Sequence, residues 1–206
     1  MKRILLITFI FVITNSLTAQ TSFSDINSSH KWAWLGIDFS NTKLIGRAAF
    51  SDPEKIINDY LPKINMLVFN ESEKYDVMGA FRMSNFYADD LYFDLLNSSL
   101  STEELFVGRD YSLEESDILN VVATYNFEKV KQDIALIFIV ESLDKTGERA
   151  IMWVTVINTK TKDLLLSERM TGTPGGFGFR NYWAKPVLNV IKDIEKKRYK
   201  KWKNMY

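Results

Sequence analysis

Two runs of almost unbroken apolar residues dominate the pattern of this chain, Ile134–Glu141 (IALIFIVE) and Ala150–Asn158 (AIMWVTVIN). Their length and their content of Ile, Val, Phe and Trp predict strands covered on both faces, so other elements must pack above and below them. A third strand is predicted at Leu164–Met170. It is followed by a glycine-rich turn, Gly172–Gly178 (GTPGGFG), and a helix that starts within Asn181–Lys185 and runs to about Tyr199. The turn formers Asp144–Gly147 and Asn158–Thr161 separate the three strands.

Upstream, Trp32, Trp34, Ile37 and Phe39 have strand spacing with a bulge or bend at Gly36. Asp52-Pro53-Glu54 supplies a helix start: an acceptor at the N-cap, a proline at the first helical position and an acid in the first turn. Ile56, Ile57, Tyr60, Leu61, Ile64, Leu67 and Val68 continue it as an apolar stripe to near Lys74, with a kink expected at Pro62. Phe86–Leu96 alternates only partly and is read as one strand. Ser101–Glu104 predicts one short helical turn. Ser112–Glu115 predicts a capping box opening a helix over Ile118, Leu119, Val122 and Tyr125. The order β, α, β-β, α, β-β-β, α predicts an α/β (α+β) sandwich. Its sheet is expected to be mixed, mostly antiparallel, with helices packed on it.

The N-terminus follows a different rule. Lys2 and Arg3 precede a ten-residue apolar run, Ile4–Ile13, too short to span a bilayer, and Asn15–Ala19 is a small-residue cleavage region. This predicts a signal peptide over 1–19 and an exported protein, periplasmic or secreted and soluble after removal of that peptide. A flexible leader is then expected over 20–31 and a single α/β domain over 32–206. A retained N-terminal anchor is the alternative.

Composition narrows the chemistry. The 206 residues are 46% hydrophobic and 25% charged, which is ordinary globular material. Lys and Arg (26) balance Asp and Glu (26), which argues against wholesale nucleic-acid binding. There is no cysteine, so disulfides, thiolate catalysis and an N-terminal lipid-bearing Cys are excluded. The single histidine, His30, excludes a multi-His metal site.

Each candidate site has a plain structural alternative. Gly175, Gly176 and Gly178, with Arg180 and Asn181, could hold an anion or small ligand ahead of the last helix. No Gly-Lys-Ser/Thr follows, the spacing misses the dinucleotide fingerprint, and a tight strand-to-helix connection explains the glycines equally. Asp89, Asp90 and Asp94 could serve acid–base chemistry or a divalent cation, which would make the chain a carboxylate-dependent hydrolase, or could form a solvated edge. His30 sits among serines, but no nucleophile elbow is present. Lys192, Lys196, Lys197, Arg198, Lys200, Lys201 and Lys203 interleave with Tyr199, Trp202 and Tyr206. They could meet an anionic membrane or a partner, or simply complement a helix C-terminus. Trp32, Trp34, Tyr182 and Trp183 could line a sugar or peptide groove, or pack in the core.

The segments LGIDFSNTKLIG (Leu35–Gly46), FIVESLDKT (Phe138–Thr146) and MTGTPGGFGFRNYWA (Met170–Ala184) resemble a family of uncharacterised exported proteins from Gram-negative anaerobes and their relatives. That resemblance implies no activity and transfers no catalytic residue. The β-β-β-α ending also looks like periplasmic α/β domains of envelope-assembly proteins such as the curli secretion channel and penicillin-binding-protein activators. The expectation is a non-catalytic accessory or interaction protein of the cell envelope, without a cofactor or bound metal.

Overall fold

The computed structural model describes residues 23–26, 30–84, 86–93, 97 and 100–205. The expected signal peptide therefore lies outside the described residues, as do Asp94 and Tyr206. Among the described residues, seven strands form one sheet: β1 Trp32–Asp38, β2 Lys43–Ile45, β3 Phe86–Ala88, β4 Phe106–Val107, β5 Ile134–Asp144, β6 Arg149–Asn158 and β7 Leu164–Gly172.

The pairing corrects the expectation of a mostly antiparallel sheet. β1–β3, β1–β5, β2–β4 and β2–β5 are all parallel, and only the meander β5–β6–β7 is antiparallel. β1 pairs with β5 over Ile134–Ile139, and β2 pairs with the same side of β5 over Ser142–Asp144. The two are thus halves of one strand broken at Phe39–Thr42. Consecutive strands in sequence suggested hairpins, yet only the last three strands are joined that way. The earlier ones reach β5 through long connections, which permit parallel pairing.

β5 shows why its sequence is apolar throughout. Ile134, Leu136, Phe138 and Val140 face the larger core, and Ala135, Ile137 and Ile139 face the smaller one. The larger core is covered by a long N-terminal helical segment and the C-terminal helices. The N-terminal segment comprises α1 Pro53–Lys55, a π-helical stretch Ile56–Tyr60 and α2 Leu61–Asn70. As expected, Asp52 caps it by accepting from the Lys55 N–H at 3.0 Å. Pro62 does not simply kink the helix. The turn before it widens, and the Leu61 N–H bonds to Ile56 O, five residues back. A π-turn is one way to accommodate a residue that cannot donate to the preceding turn. After α3 Val77–Ala80, the smaller core is covered by α4 Glu115–Thr124. Its capping box is made by Glu114 and Asp117, two residues after the expected Ser112. Ser101–Glu104 forms no helix, and among the described residues of the strand expected over Phe86–Leu96 only β3 is strand.

Along α5 Phe179–Asp193, Trp183, Ala184, Val187, Leu188, Val190 and Ile191 are buried. A second π stretch, Ile194–Arg198, leads into α6 Tyr199–Met205. Part of the expected flexible leader is docked here. Phe23 and Ile26 are buried, and Lys203 Nζ donates to the carbonyls of Phe23, Ser24 and Ile26 at 3.3, 2.7 and 2.6 Å. The leader therefore contributes apolar contacts of its own, with Phe23 edge-on to both Tyr199 and Trp202.

Candidate functional site

Gly36 begins the site. It takes φ of 95°, the bulge that the sequence suggested, and the register of β1 against β5 shifts between Trp34 and Ile37. The bulge strands backbone groups inside the protein, and two asparagines satisfy them. Asn65 on α2 accepts from the Ile37 N–H at 3.0 Å and donates to Asp90 O at 3.0 Å. Asn97 accepts from the Phe39 N–H at 2.7 Å and donates to Ile37 O at 3.2 Å. Buried amides without such partners would be costly, so the pair fixes α2 and the post-β3 segment against β1.

That arrangement leaves a cleft of 630 Å³ on the larger-core face at the edge of the sheet, in the usual size range of ligand sites. Trp34 forms its floor, stacked on Phe69 and edge-on to Phe138 with ring centroids 5.7 and 4.9 Å away. Phe86 and Ala88 of β3 make one wall, and Val68, Tyr75 and Met78 make the other. Burial pushes the Tyr75 hydroxyl above its ordinary pKa, opposed by the neighbouring Lys74 ammonium. The rim differs in character from the floor. Met78 is 48% exposed, and Glu73 and Asp76 are exposed carboxylates. Such a surface can take up apolar matter and attract cations.

The sequence-derived candidates fall elsewhere, apart from Trp34. Asp89 and Asp90 follow β3. The Asp89 carboxylate accepts from the Leu91 N–H at 3.1 Å, a local turn contact. No group of three or more acidic or His side chains among the described residues could hold a metal ion. His30 lies with Trp32, Phe81, Arg82 and Lys203 around a separate 350 Å³ hollow. In the glycine-rich turn, Gly176 and Gly178 take φ of 103° and 77°, while Gly175 does not need a positive φ. Arg180 and Asn181 are exposed and contact each other at 3.4 Å, and Phe177 is 94% exposed at the tip.

Pro186, inside α5, explains the turn's path. It has no N–H to offer Tyr182 O, four residues back, and that carbonyl accepts instead from the Gly175 N–H at 3.1 Å. In the tail, Lys196, Lys197, Lys200 and Lys201 are exposed, with Lys197 3.9 Å from Asp193. Arg198 is engaged by Glu168 and Asp193 at 2.5 and 2.8 Å. Trp202 belongs to the core and donates its indole N–H to Glu168, so it offers nothing to a membrane or partner surface. Trp183 is likewise buried, and Tyr182 lies under Lys145 Nζ, 3.7 Å from its ring centroid.

No family model matches the sequence, and no curated protein is significantly similar to it. Among solved structures, the chain has a likeness to the LpoB C-terminal domain from Salmonella enterica. The match has 8% identity, covers 72% of this chain and 85% of that one, and has a TM-score of 0.33. At that level the likeness assigns no function.

Two buried acids were missed by sequence reasoning. Asp38 ends β1, accepts from the Ser40 N–H at 2.7 Å and from the Tyr125 hydroxyl, and is held above the ordinary aspartate pKa by burial. Glu141 is fully buried in β5 and accepts from Arg169 and from the Trp153 indole N–H. The available signal was a lone carboxylate inside an otherwise apolar strand, which must have a partner. No helix among the described residues is long and apolar enough to cross a membrane.

Proposed function

We propose that this chain is an exported, non-catalytic interaction protein of the cell envelope that holds its partner in the aromatic cleft between β3 and the α2–α3 corner. The single observation behind this reading is the cleft itself: an aromatic floor built on Trp34, an exposed methionine and an acidic rim at a sheet edge. Export is supported by the short apolar run behind Lys2 and Arg3.

Nile red, an uncharged apolar probe, tests the cleft. The full chain should give blue-shifted emission on titration, and Met78→Lys should abolish it at an unchanged unfolding midpoint. Equal emission from both proteins would sink the reading. Export is tested separately by N-terminal sequencing of protein from the expressing cell's envelope and medium, where Gln20 should be the first residue.

A further inference from the structure

The backbone of β3 has a direction that the side chains of the cleft do not reveal. β3 pairs in parallel with β1 through Trp32–Phe86, Ala33–Tyr87 and Trp34–Ala88. The Asp89 N–H bonds to Trp34 O at 3.0 Å. In a parallel ladder, alternate residues turn their N–H and C=O to the same neighbour. Asp89 and Tyr87 therefore point at β1, and the N–H and C=O of Phe86 and Ala88 point outward. β3 ends the sheet, with no strand on its outer side among the described residues. The same two residues, Phe86 and Ala88, present their side chains to the cleft.

Outward backbone groups and a side-chain cleft on the same two residues are what strand addition requires. Main-chain bonds hold the added strand, and its side chains enter the cleft at every second position. The electrostatics select among such strands. Glu73 and Asp76 line the cleft and Asp89 and Asp90 follow β3. None of the four has a cation partner within ion-pair distance among the described residues, whereas nearby Glu71 is neutralised by Lys74 at 2.6 Å.

We propose that the occupant of the cleft is an extended polypeptide segment, apolar at alternate positions and flanked by Lys or Arg, which adds as a strand to the outer edge of β3. This rests on the binding reading above and specifies its partner class.

Ala88→Pro separates the two. The Ala88 N–H makes no bond to β1, so proline removes only the outward donor, and an edge strand tolerates it. A phage-displayed random peptide library selected on the full chain should yield alternating apolar residues flanked by Lys or Arg. The affinity of a selected peptide, read by fluorescence anisotropy, should fall about tenfold in Ala88→Pro, the size of one or two lost hydrogen bonds. It should fall several-fold in Glu73→Lys, and by less in high salt. N-methylation of the peptide at alternate amides should give the same loss with the protein unaltered. Nile red emission of the unaltered chain reads the cleft independently of the outer edge.

Peptides rich in Asp or Glu, or binding indifferent to both Ala88→Pro and N-methylation, would overturn strand addition. Nile red binding without any selected peptide would overturn it while leaving the cleft as a site for apolar ligands. Loss of both would remove the two readings together.

Discussion

Arg169 of β7 grips Glu141 of β5 through two hydrogen bonds, of 2.6 and 2.8 Å, across the intervening strand β6. Glu141 sits where the register of β5 against β6 slips, between Val140 and Ser142, and a β-bulge of this kind re-aims the side chain. Trp153 completes the cage at 3.0 Å.

The two partners differ in what their loss leaves behind. Glu141 is fully buried, while Arg169 is 39% exposed. Arg169→Ala therefore strands a carboxylate in the protein and should cost about 3 kcal/mol, the range for breaking a buried pair. Glu141→Gln keeps an acceptor for Trp153 and should cost less. Urea unfolding of the two variants should rank them in that order. Equal costs would mean that water reaches Glu141.

Asp38 should make stability fall as pH rises. Burial raises its folded pKa above the ordinary 3.8, despite hydrogen bonds from Ser40 and Tyr125 that favour the charged form. The folded protein thus binds more protons than the unfolded chain between 3.8 and the raised value, and stability is lost as pH rises across that window. Asp38→Asn should abolish this component of the pH dependence, as read from urea midpoints across the acid range. Tyr125→Phe removes a donor to the carboxylate and should move the Asp38 titration further upward by NMR.

The glycines at the end of β7 should not respond alike. An added Cβ on Gly172 would meet Pro186 Cα at 2.5 Å, a backbone atom that cannot move aside. Gly172→Ala should cost about 3 kcal/mol. Gly175→Ala, with Lys185 Cγ at 3.8 Å as its nearest neighbour, should be close to neutral. Thermal denaturation of the pair checks this.

Lys203 ties the first described residues to the last helix through three carbonyls. Lys203→Met should cost about 2 kcal/mol, as for hydrogen bonds to a charged group, and should expose the segment around Phe23. Limited proteolysis should then cut near Phe23 well before the core is attacked. An unchanged cleavage pattern would mean that Phe23 and Ile26 hold the segment by apolar contact alone.

The parts of this fold that were legible in the sequence are those in which one local rule decides. β5, β6 and β7 are signalled by apolar runs, the Gly36 bulge by a glycine between aromatics, and the first helix by Asp52-Pro53. Strand direction was not legible, because parallel pairing of β1 with β5 depends on where the chain returns after the intervening helices, and periodicity carries no record of that. The two-sided burial of β5 was in fact the better clue to a parallel sheet. The cleft was legible only through Trp34. Its other parts come from Phe69, Tyr75, Met78 and Phe86, scattered over segments whose local patterns are weak. Trp202 misled because a tryptophan among lysines has the look of a surface, whereas helical geometry turns it inward onto Glu168.

β5 also sets an order of assembly. It borders β1 and β2 on one side and β6 on the other, yet β1 precedes it by roughly 100 residues, so that contact is among the slowest to close. The meander β5–β6–β7, joined by short turns, can form by itself. A chain made from its N-terminus thus carries Trp32, Trp34 and Ile37 without their partner strand until most of its length exists. The N-terminal half cannot commit to its native state ahead of the C-terminal half.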